Sequence, residues 1–298
     1  AAAAAAVGSV ACVAVARWHR NVRSGNPAAA GREKEIVNMT ETTSETVPQD
    51  RAARLQRLNV IATVLHGVQA IAVLVLANDF ALPVASYFWN DAPNGRLDPA
   101  RLEKMFEIPV AWGAAGFLIL SALFHGIVST VGRRGYVSEL SRQQNRFRWV
   151  EYSLSSTLMI ILIAMVFGIS DIAALLGLAG ANAAMILFGW IMEVVNRPGQ
   201  PVWWSPFWFG CIAGGVPWVV LFIYVIGPSG QPEFPAFVWG ILISLFIFFN
   251  LFALNQWPQY RGVGRWSDYL YGERVYLVLS LTAKSALAWQ VFGNTLAA

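Results

Sequence analysis

The chain has 298 residues, of which 56% are hydrophobic and 13% are charged. An average soluble domain has about 25% charged residues, so too few polar groups are present here to cover a soluble fold of this size. The composition excludes disorder, collagen and a coiled coil. The pI near 9.3 does not indicate a nucleic-acid partner, because most basic residues flank apolar stretches, as in a membrane protein. The two cysteines, Cys12 and Cys211, indicate neither a disulfide framework nor a metal site.

The first 50 residues differ from the rest, and we expect residues 1–50 to form a disordered N-terminal extension. An Ala-rich run leads to the basic stretch RWHRNVR and then to a Thr/Glu-rich segment. Met39 begins a polar leader, so residues 1–38 are interpreted as an upstream extension or an artefact of the assigned start site. The alternative is a signal peptide with residues 1–16 as its apolar part, although no basic segment precedes them.

Seven apolar stretches are long enough to cross a bilayer as helices, which takes about 20 residues each. They lack the alternation that is typical of a membrane β-barrel. We therefore predict an all-α membrane protein, with a seven-transmembrane-helix bundle over residues 51–298. The predicted spans are 57–77, 108–131, 147–167, 172–195, 206–227, 234–257 and 270–292.

Basic residues are distributed unequally between the two sides of the predicted bundle. One side has arginines before span 1, between spans 2 and 3, after span 4 and after span 6. The other side has Arg96, Arg101 and Lys104, all in one long loop at 78–107 that also contains acidic residues. The positive-inside rule then predicts a multi-pass protein of the cell membrane with a cytoplasmic N-terminus and an extracellular C-terminus.

The outer loop at 78–107 is long for a segment without a function. Residues Val84–Trp89 and the turn signal Asn94–Gly95 are compatible with a short β-hairpin. An irregular cap over the bundle fits the same sequence equally well.

Lys284 lies deep in span 7, eight residues from the nearer end, and it is the only lysine in any predicted span. That distance is about 12 Å along a helix, too far for the side chain to reach the bilayer surface. A buried charge is expensive and indicates a functional site. A buried amine is also a nucleophile that can form an imine with an aldehyde.

Glu151 is a second charged residue within a predicted span, in the third. One interpretation is an interfacial carboxylate that pairs with Arg148, three residues earlier on the same helix face. The other is a counter-ion for Lys284, because side chains tilt toward the start of their helix and the amine would then point to the level of Glu151. Ser280 precedes Lys284 by four residues, and Ser155 follows Glu151 by four.

His66 in span 1 and His125 in span 2 fall at a similar depth, with Ser121 one turn from His125. A single histidine in a helix is usually a core residue. Two histidines near Glu151 are equally compatible with a hydrated polar cluster. The other half of spans 3 and 7 is apolar, with the sequences LMIILIAMVFG and SALAWQVFG.

Together, the seven spans, the lysine in the middle of the seventh and the sequence RWVEY in the third resemble microbial rhodopsins. Their third helix carries an Arg-Tyr-x-Asp-Trp pattern whose acid is the Schiff-base counter-ion. The resemblance is specifically to the heliorhodopsins, it covers residues 55–293, and the deduced orientation is also that of the family. The segments that carry it are LANDFALP (76–83), SALFH (121–125), FRWVEYSLSS (147–156), NAAMILFGW (182–190), PFWFGCIAG (206–214) and SALAWQ (285–290).

This resemblance implies all-trans retinal bound covalently to Lys284 as a protonated Schiff base, with Glu151 as counter-ion and Ser280 as a hydrogen-bond partner. It places His66, Ser121 and His125 in a cytoplasmic polar cluster. It also implies a homodimer with the outer loop at the contact, and a light sensor with a slow photocycle. Further residues match positions that line or border the retinal pocket: Asn182, Met185, Phe249, Asn250 and Gln256.

Three functions remain in competition. The first is a retinal photoreceptor with an unidentified signalling partner and no enzymatic activity. The second is a light-driven ion pump or channel; against it, Ser280 and Leu162 occupy positions where pumping rhodopsins carry acidic residues. The third is a secondary transporter that uses Lys284 and Glu151, which is disfavoured because the sequence shows no internal repeats or paired broken helices.

Overall fold

The computed structural model describes residues 47–88, 101–227 and 236–296. Most of the predicted extension 1–50, with Met39 and the signal-peptide alternative, lies outside the described residues. So do Trp89, the Asn94–Gly95 turn signal and the first two residues of the sixth predicted span.

Seven helices in the described part of the chain are long and apolar enough to cross a membrane, which confirms the seven predicted spans. An eighth, short helix α3 (Arg133–Leu140) connects the second span to the third and was not predicted. The seven long helices are α1 (Gln49–Val75), α2 (Val110–Ser129), α4 (Arg146–Val166), α5 (Ile172–Val195), α6 (Ser205–Ile226), α7 (Ala236–Arg261) and α8 (Tyr269–Thr295).

Two helix starts differ from the prediction for physical reasons. Helix α1 begins at Gln49, eight residues before the predicted start, because its first two turns are polar and hydropathy detects only the apolar part of a helix. Helix α2 begins at Val110, because Pro109, with an extended backbone, precedes its first residue.

The outer loop forms a two-stranded antiparallel hairpin of β1 (Ala81–Tyr87) and β2 (Leu102–Pro109), so the hairpin interpretation is confirmed and the irregular cap is wrong. Its first strand contacts the bundle where the Ala85 N–H donates to the Ser170 carbonyl at 2.9 Å. The Ser86 hydroxyl also donates to the Asp171 carboxylate at 2.8 Å. The description all-α therefore holds for the membrane spans and not for this loop.

The hairpin marks one side of the bundle, and the start of α1 marks the other. We call these the hairpin side and the N-terminal side. Helix α8 packs against α7, α2 and α1, so the last span closes the bundle against the first. The spans are therefore arranged so that residues near the start of α4 and in the middle of α8 face the same interior.

A continuous apolar core fills the half of the bundle on the hairpin side. Its buried members come from all seven spans and from β1, and include Phe117, Leu162, Leu221, Leu242 and Phe292. The core on the N-terminal side is a smaller cluster around Leu55, Leu140 and Leu277. Most buried polar residues lie in that second half, which is where the candidate site is found.

Candidate functional site

The amine of Lys284 and the carboxylate of Glu151 form a buried ion pair between α8 and α4. Lys284 Nζ donates to Glu151 Oε1 at 2.5 Å and to Ser280 Oγ at 2.9 Å. The same Glu151 oxygen accepts from the Ser121 hydroxyl at 2.7 Å. Lys284 Nζ also lies 4.9 Å from the centre of the Tyr152 ring, a distance at which an aromatic face stabilises a cation. Three helices thus supply ligands to one buried charge pair.

Two histidines lie next to this pair. The His66 and His125 rings stack with their centres 5.8 Å apart, and Nδ1 of His125 hydrogen-bonds the Asn59 side chain at 2.7 Å. Both ring nitrogens of His66 and Nε2 of His125 have no hydrogen-bond partner among the described residues. Because buried polar atoms are normally hydrogen-bonded, these nitrogens have unused capacity to bind a proton or a polar group.

A second buried charge cluster lies closer to the N-terminal side. The Arg148 guanidinium pairs with both Glu193 and Glu273 and stacks over the Tyr276 ring at 4.1 Å. The alternative pairing of Arg148 with Glu151 is therefore wrong.

Polar groups around this triad satisfy its carboxylates. Glu193 accepts from the Trp149 indole at 2.6 Å and from the Tyr269 hydroxyl at 3.0 Å, and Glu273 accepts from the Asn145 amide at 2.6 Å. The Asn145 side chain also caps the start of α4 by accepting from the Arg148 N–H at 3.1 Å. The cap and the triad together fix the first turn of α4, and so the position of Glu151 one turn later.

The two charge clusters meet at a small cavity of about 30 Å³. Its walls include Glu151 and His125 from one cluster and Arg148 and Glu273 from the other. A space of this size is large enough for a water molecule. The Lys284 pair and the triad therefore border one water-sized space.

A larger cavity of about 380 Å³ lies between α4, α5, α6 and α7, with one contact from α8. Aromatic side chains dominate its walls, among them Trp149, Trp218 and Phe252. Tyr152 lines this cavity and also contacts the Lys284 amine, which connects the cavity to the ion pair. A side chain on Gly189 would overlap the Trp149 ring, so the missing Cβ at that position gives the indole its place in the wall.

The residues expected around this cavity divide into two groups. Met185, Phe249, Asn250 and Gln256 line it. Asn182 does not; its amide instead ties α5 to α4 by donating to Ser156 Oγ at 2.8 Å and Thr157 Oγ1 at 3.1 Å.

Ser155 also lies outside the cavity wall, buried one turn from Glu151, and its hydroxyl has no partner among the described residues.

Sequence reasoning missed the triad of Arg148, Glu193 and Glu273. The signal was present, because both glutamates fall inside predicted spans. Glu193 lies two residues from the end of its span and Glu273 three residues from the start of its own, so both resemble interfacial residues by position. In the folded bundle Trp149 and Tyr269 donate to Glu193, and Asn145 and Tyr136 donate to Glu273. Hydropathy does not report these tertiary contacts.

Comparison with known proteins was made on both sequence and structure. A family model described as Heliorhodopsin matches residues 55–296, whereas no curated protein matches the chain. Among solved structures, the fold is similar to the rhodopsin of Exiguobacterium sibiricum, with a TM-score of 0.58 and 16% identity over 82% of this chain and 97% of that one.

Two further structures show the same fold. A light-driven proton pump from Leptosphaeria maculans gives a TM-score of 0.54 at 15% identity, over 84% of this chain and 96% of that one. A cyanorhodopsin from the cyanobacterium Tolypothrix gives 0.55 at 10% identity, over 81% and 93%. The structural likeness shows the fold, the family model covers nearly the whole described bundle, and the chain belongs to the heliorhodopsin family.

Proposed function

We propose that this protein is a light-sensing photoreceptor that carries all-trans retinal on Lys284 as a protonated Schiff base, with Glu151 as the counter-ion. Membership of the family implies a retinal chromophore. One observation carries the proposed attachment: the only lysine in the membrane spans is buried, is paired with a carboxylate and lies 4.9 Å from the ring of Tyr152, which lines an aromatic cavity.

The residues present fit such a chromophore. Ligand cavities are typically about 300–1,000 Å³ and mostly apolar, with a few polar groups that fix orientation. The cavity of about 380 Å³ has aromatic walls, and Tyr152 joins it to the amine. When bound, retinal would supply visible absorption and a light-driven change of shape.

Glu151 has the role of balancing a positive charge at Lys284. A charge buried at this depth is costly without a partner, and Glu151 provides the partner at 2.5 Å. Ser121 and Ser280 hold the two members of the pair from either side. This arrangement keeps a cation at Lys284 in the dark.

The histidine pair is the proposed temporary site for a proton that leaves Lys284. His66 and His125 lie on the same side of Lys284 as Glu151. Each neutral ring has one nitrogen that can accept a proton, and the unpartnered nitrogens of His66 and Nε2 of His125 allow this without first breaking a hydrogen bond. A proton held there returns to Lys284 rather than crossing the bundle, because apolar side chains fill the hairpin side. We therefore propose a slow photocycle that ends in signalling and not in ion pumping or enzymatic chemistry.

The distribution of charged and apolar residues supports an orientation in the membrane and a homodimer. The excess of arginine on the N-terminal side supports a cytoplasmic N-terminus and an extracellular hairpin, with the C-terminus outside. Exposed apolar residues on the hairpin, among them Leu102, Met105 and Phe106, support a homodimer that uses this loop. The signalling partner is expected in the cytoplasm or the membrane.

The attachment is tested by absorption spectroscopy of membranes after retinal is added. Lys284→Ala is expected to insert and fold without any visible band, because no other amine lies in the spans. The matched control is Ser280→Ala, which removes a hydrogen bond to the same nitrogen and keeps the amine, so its band should persist. A hydroxylamine-sensitive visible band in Lys284→Ala would overturn the assignment.

The role of Glu151 is tested in the same assay with Glu151→Gln. Glutamine still accepts from Ser121 but removes the negative charge that stabilises the cation in the dark, so the band should move to longer wavelength or be lost to the near ultraviolet. A spectrum identical to that of the unaltered protein from pH 5 to pH 9 would assign the role to another group.

A further inference from the structure

A groove with four arginines lies on the N-terminal side, between the first turns of α1 and the start of α8. It has a volume of about 440 Å³ and is separate from the Lys284 site. Arg51, Arg54 and Arg57 come from α1, Arg274 comes from α8, and the only acidic residue in its wall is Asp268. Four positive charges therefore face one negative charge.

The internal ion pairs leave two of these arginines free. Arg51 pairs with Asp268, and Arg54 pairs with Asp50 at 2.9 Å. Arg57 and Arg274 are exposed and have no ion-pair partner in the described part of the chain. The positive-inside rule explains arginines near the ends of spans, but it does not require arginines of two different helices to converge on one groove.

The level of the groove indicates what it binds. Arg57 immediately precedes the apolar part of α1, so the groove lies where the spans leave the bilayer. Leu55, Leu58 and Leu270 also line it and provide an apolar surface beside the charges. Guanidinium groups bind phosphate through two parallel hydrogen bonds, and basic pockets between membrane helices bind anionic lipid headgroups.

We propose that this groove binds a phosphate-bearing anion, and that the source is the headgroup of an anionic phospholipid in the leaflet on the N-terminal side. The phosphate lies between Arg57 and Arg274, and the glycerol and upper acyl region contacts the leucines. A soluble phosphate compound has the same charged group but no part that uses the apolar surface.

The test is native mass spectrometry of the full chain in detergent, with phosphatidylglycerol or phosphatidylcholine added in steps. The unaltered protein should bind the first phosphatidylglycerol more tightly than the first phosphatidylcholine. Arg57→Gln combined with Arg274→Gln should weaken phosphatidylglycerol binding roughly 25-fold, since each interfacial arginine contributes about fivefold. Phosphatidylcholine binding should stay unchanged.

The matched control is Arg133→Gln with Arg134→Gln. These arginines lie in α3 on the same side of the bundle, are exposed and are outside the groove, so phosphatidylglycerol binding should persist. A second variant, Arg57→Lys with Arg274→Lys, keeps the charges and should retain most of the preference, which separates loss of charge from loss of fold. Asp268→Asn removes the only acidic wall residue and should tighten binding.

Inorganic pyrophosphate distinguishes the two sources. If it binds and displaces phosphatidylglycerol, and the groove variant weakens both, the groove is a phosphate site that soluble compounds also occupy. If it does not displace the lipid, the lipid is the source. Equal effects of the groove variant and the α3 control, or no preference for phosphatidylglycerol in the unaltered protein together with no pyrophosphate binding, would overturn the proposal.

Discussion

The two halves of the bundle differ in what they bury. The half on the N-terminal side contains two charge clusters, a histidine pair and a small cavity that joins them. The half on the hairpin side contains one apolar core drawn from all seven spans. Its polar contacts include the Ser244–Gln290 pair, with the Gln290 amide donating at 2.9 Å. Lys284 lies at the boundary.

This difference shows that the same seven helices serve two purposes. On the hairpin side, close packing of apolar side chains holds the spans together. On the N-terminal side, ion pairs and hydrogen bonds hold the spans together, and such networks have alternative arrangements of similar energy when a proton moves. Under the proposed function, we expect a local event at Lys284 to be passed toward the N-terminal side.

The largest expected effect comes from breaking the buried triad. Arg148→Met leaves Glu193 and Glu273 facing each other without a positive charge, and removal of one partner from a buried ion pair costs about 3–5 kcal/mol. We expect that loss in the free energy of unfolding, measured by denaturation in mixed micelles with circular dichroism. Adding Glu193→Gln and Glu273→Gln to the same variant should restore most of it. An equal loss in the triple variant would show that the packing of Arg148 matters and its charge does not.

A charge placed in the apolar half should cost somewhat less. Leu162 is buried in the hairpin-side core and packs over Gly113, with its Cδ2 2.6 Å from the position a Cβ on that glycine would take. Leu162→Asp should lower the free energy of unfolding by roughly 2.5–3.5 kcal/mol. Leu162→Met, which keeps the apolar volume, should cost less than about 1.5 kcal/mol. Similar values for the two variants in the same denaturation assay would show that this half tolerates charge.

The smallest expected effect concerns the hairpin and its pH dependence. The pKa of Asp171 lies below its ordinary value, because the Ala174 N–H, the Ser86 hydroxyl and the Ala173 N–H all stabilise its charged form. As a helix cap, the charged Asp171 contributes about 1 kcal/mol to the free energy of unfolding. This contribution is complete above the ordinary pKa of about 4 and is lost as the pH falls through the lowered pKa.

The pH-dependent contribution of Asp171 can be measured by hydrogen exchange at the Ala85 amide, which donates to Ser170 beside Asp171. Its protection should decrease at acid pH in the unaltered protein. In Asp171→Asn the protection should no longer depend on pH across the same range. Identical pH profiles for the two proteins would show that Asp171 does not anchor the hairpin.

Much of the architecture followed from the sequence, because long apolar stretches report membrane spans directly. The contact of Lys284 with Glu151 also followed, since depth along two helices and the tilt of side chains place both groups at one level. The hairpin was one of two open interpretations, because its turn signal says little about strand pairing.

The features that could not be predicted from the sequence are those that depend on tertiary contacts. Glu193 and Glu273 lie near span ends, where a charge is normally solvated, and only tertiary contacts bury them. Trp149 and Tyr269 donate to Glu193, and Asn145 and Tyr136 donate to Glu273. Asn182 was expected near the cavity, but its amide turns to α4 because Ser156 and Thr157 offer acceptors there. Position along a helix gives depth; it does not give the direction in which a mid-helix polar group finds its partner.

If polar groups reach Lys284 from the N-terminal side only, light should drive no net proton transport, and a transport assay can measure this. The protein is reconstituted with retinal in sealed vesicles, and pH outside is recorded under illumination while flash spectroscopy follows the photocycle. We expect a photocycle without any pH change that a protonophore abolishes. A reproducible, protonophore-sensitive pH change at light levels that turn over the photocycle would contradict it and assign the protein a pumping function.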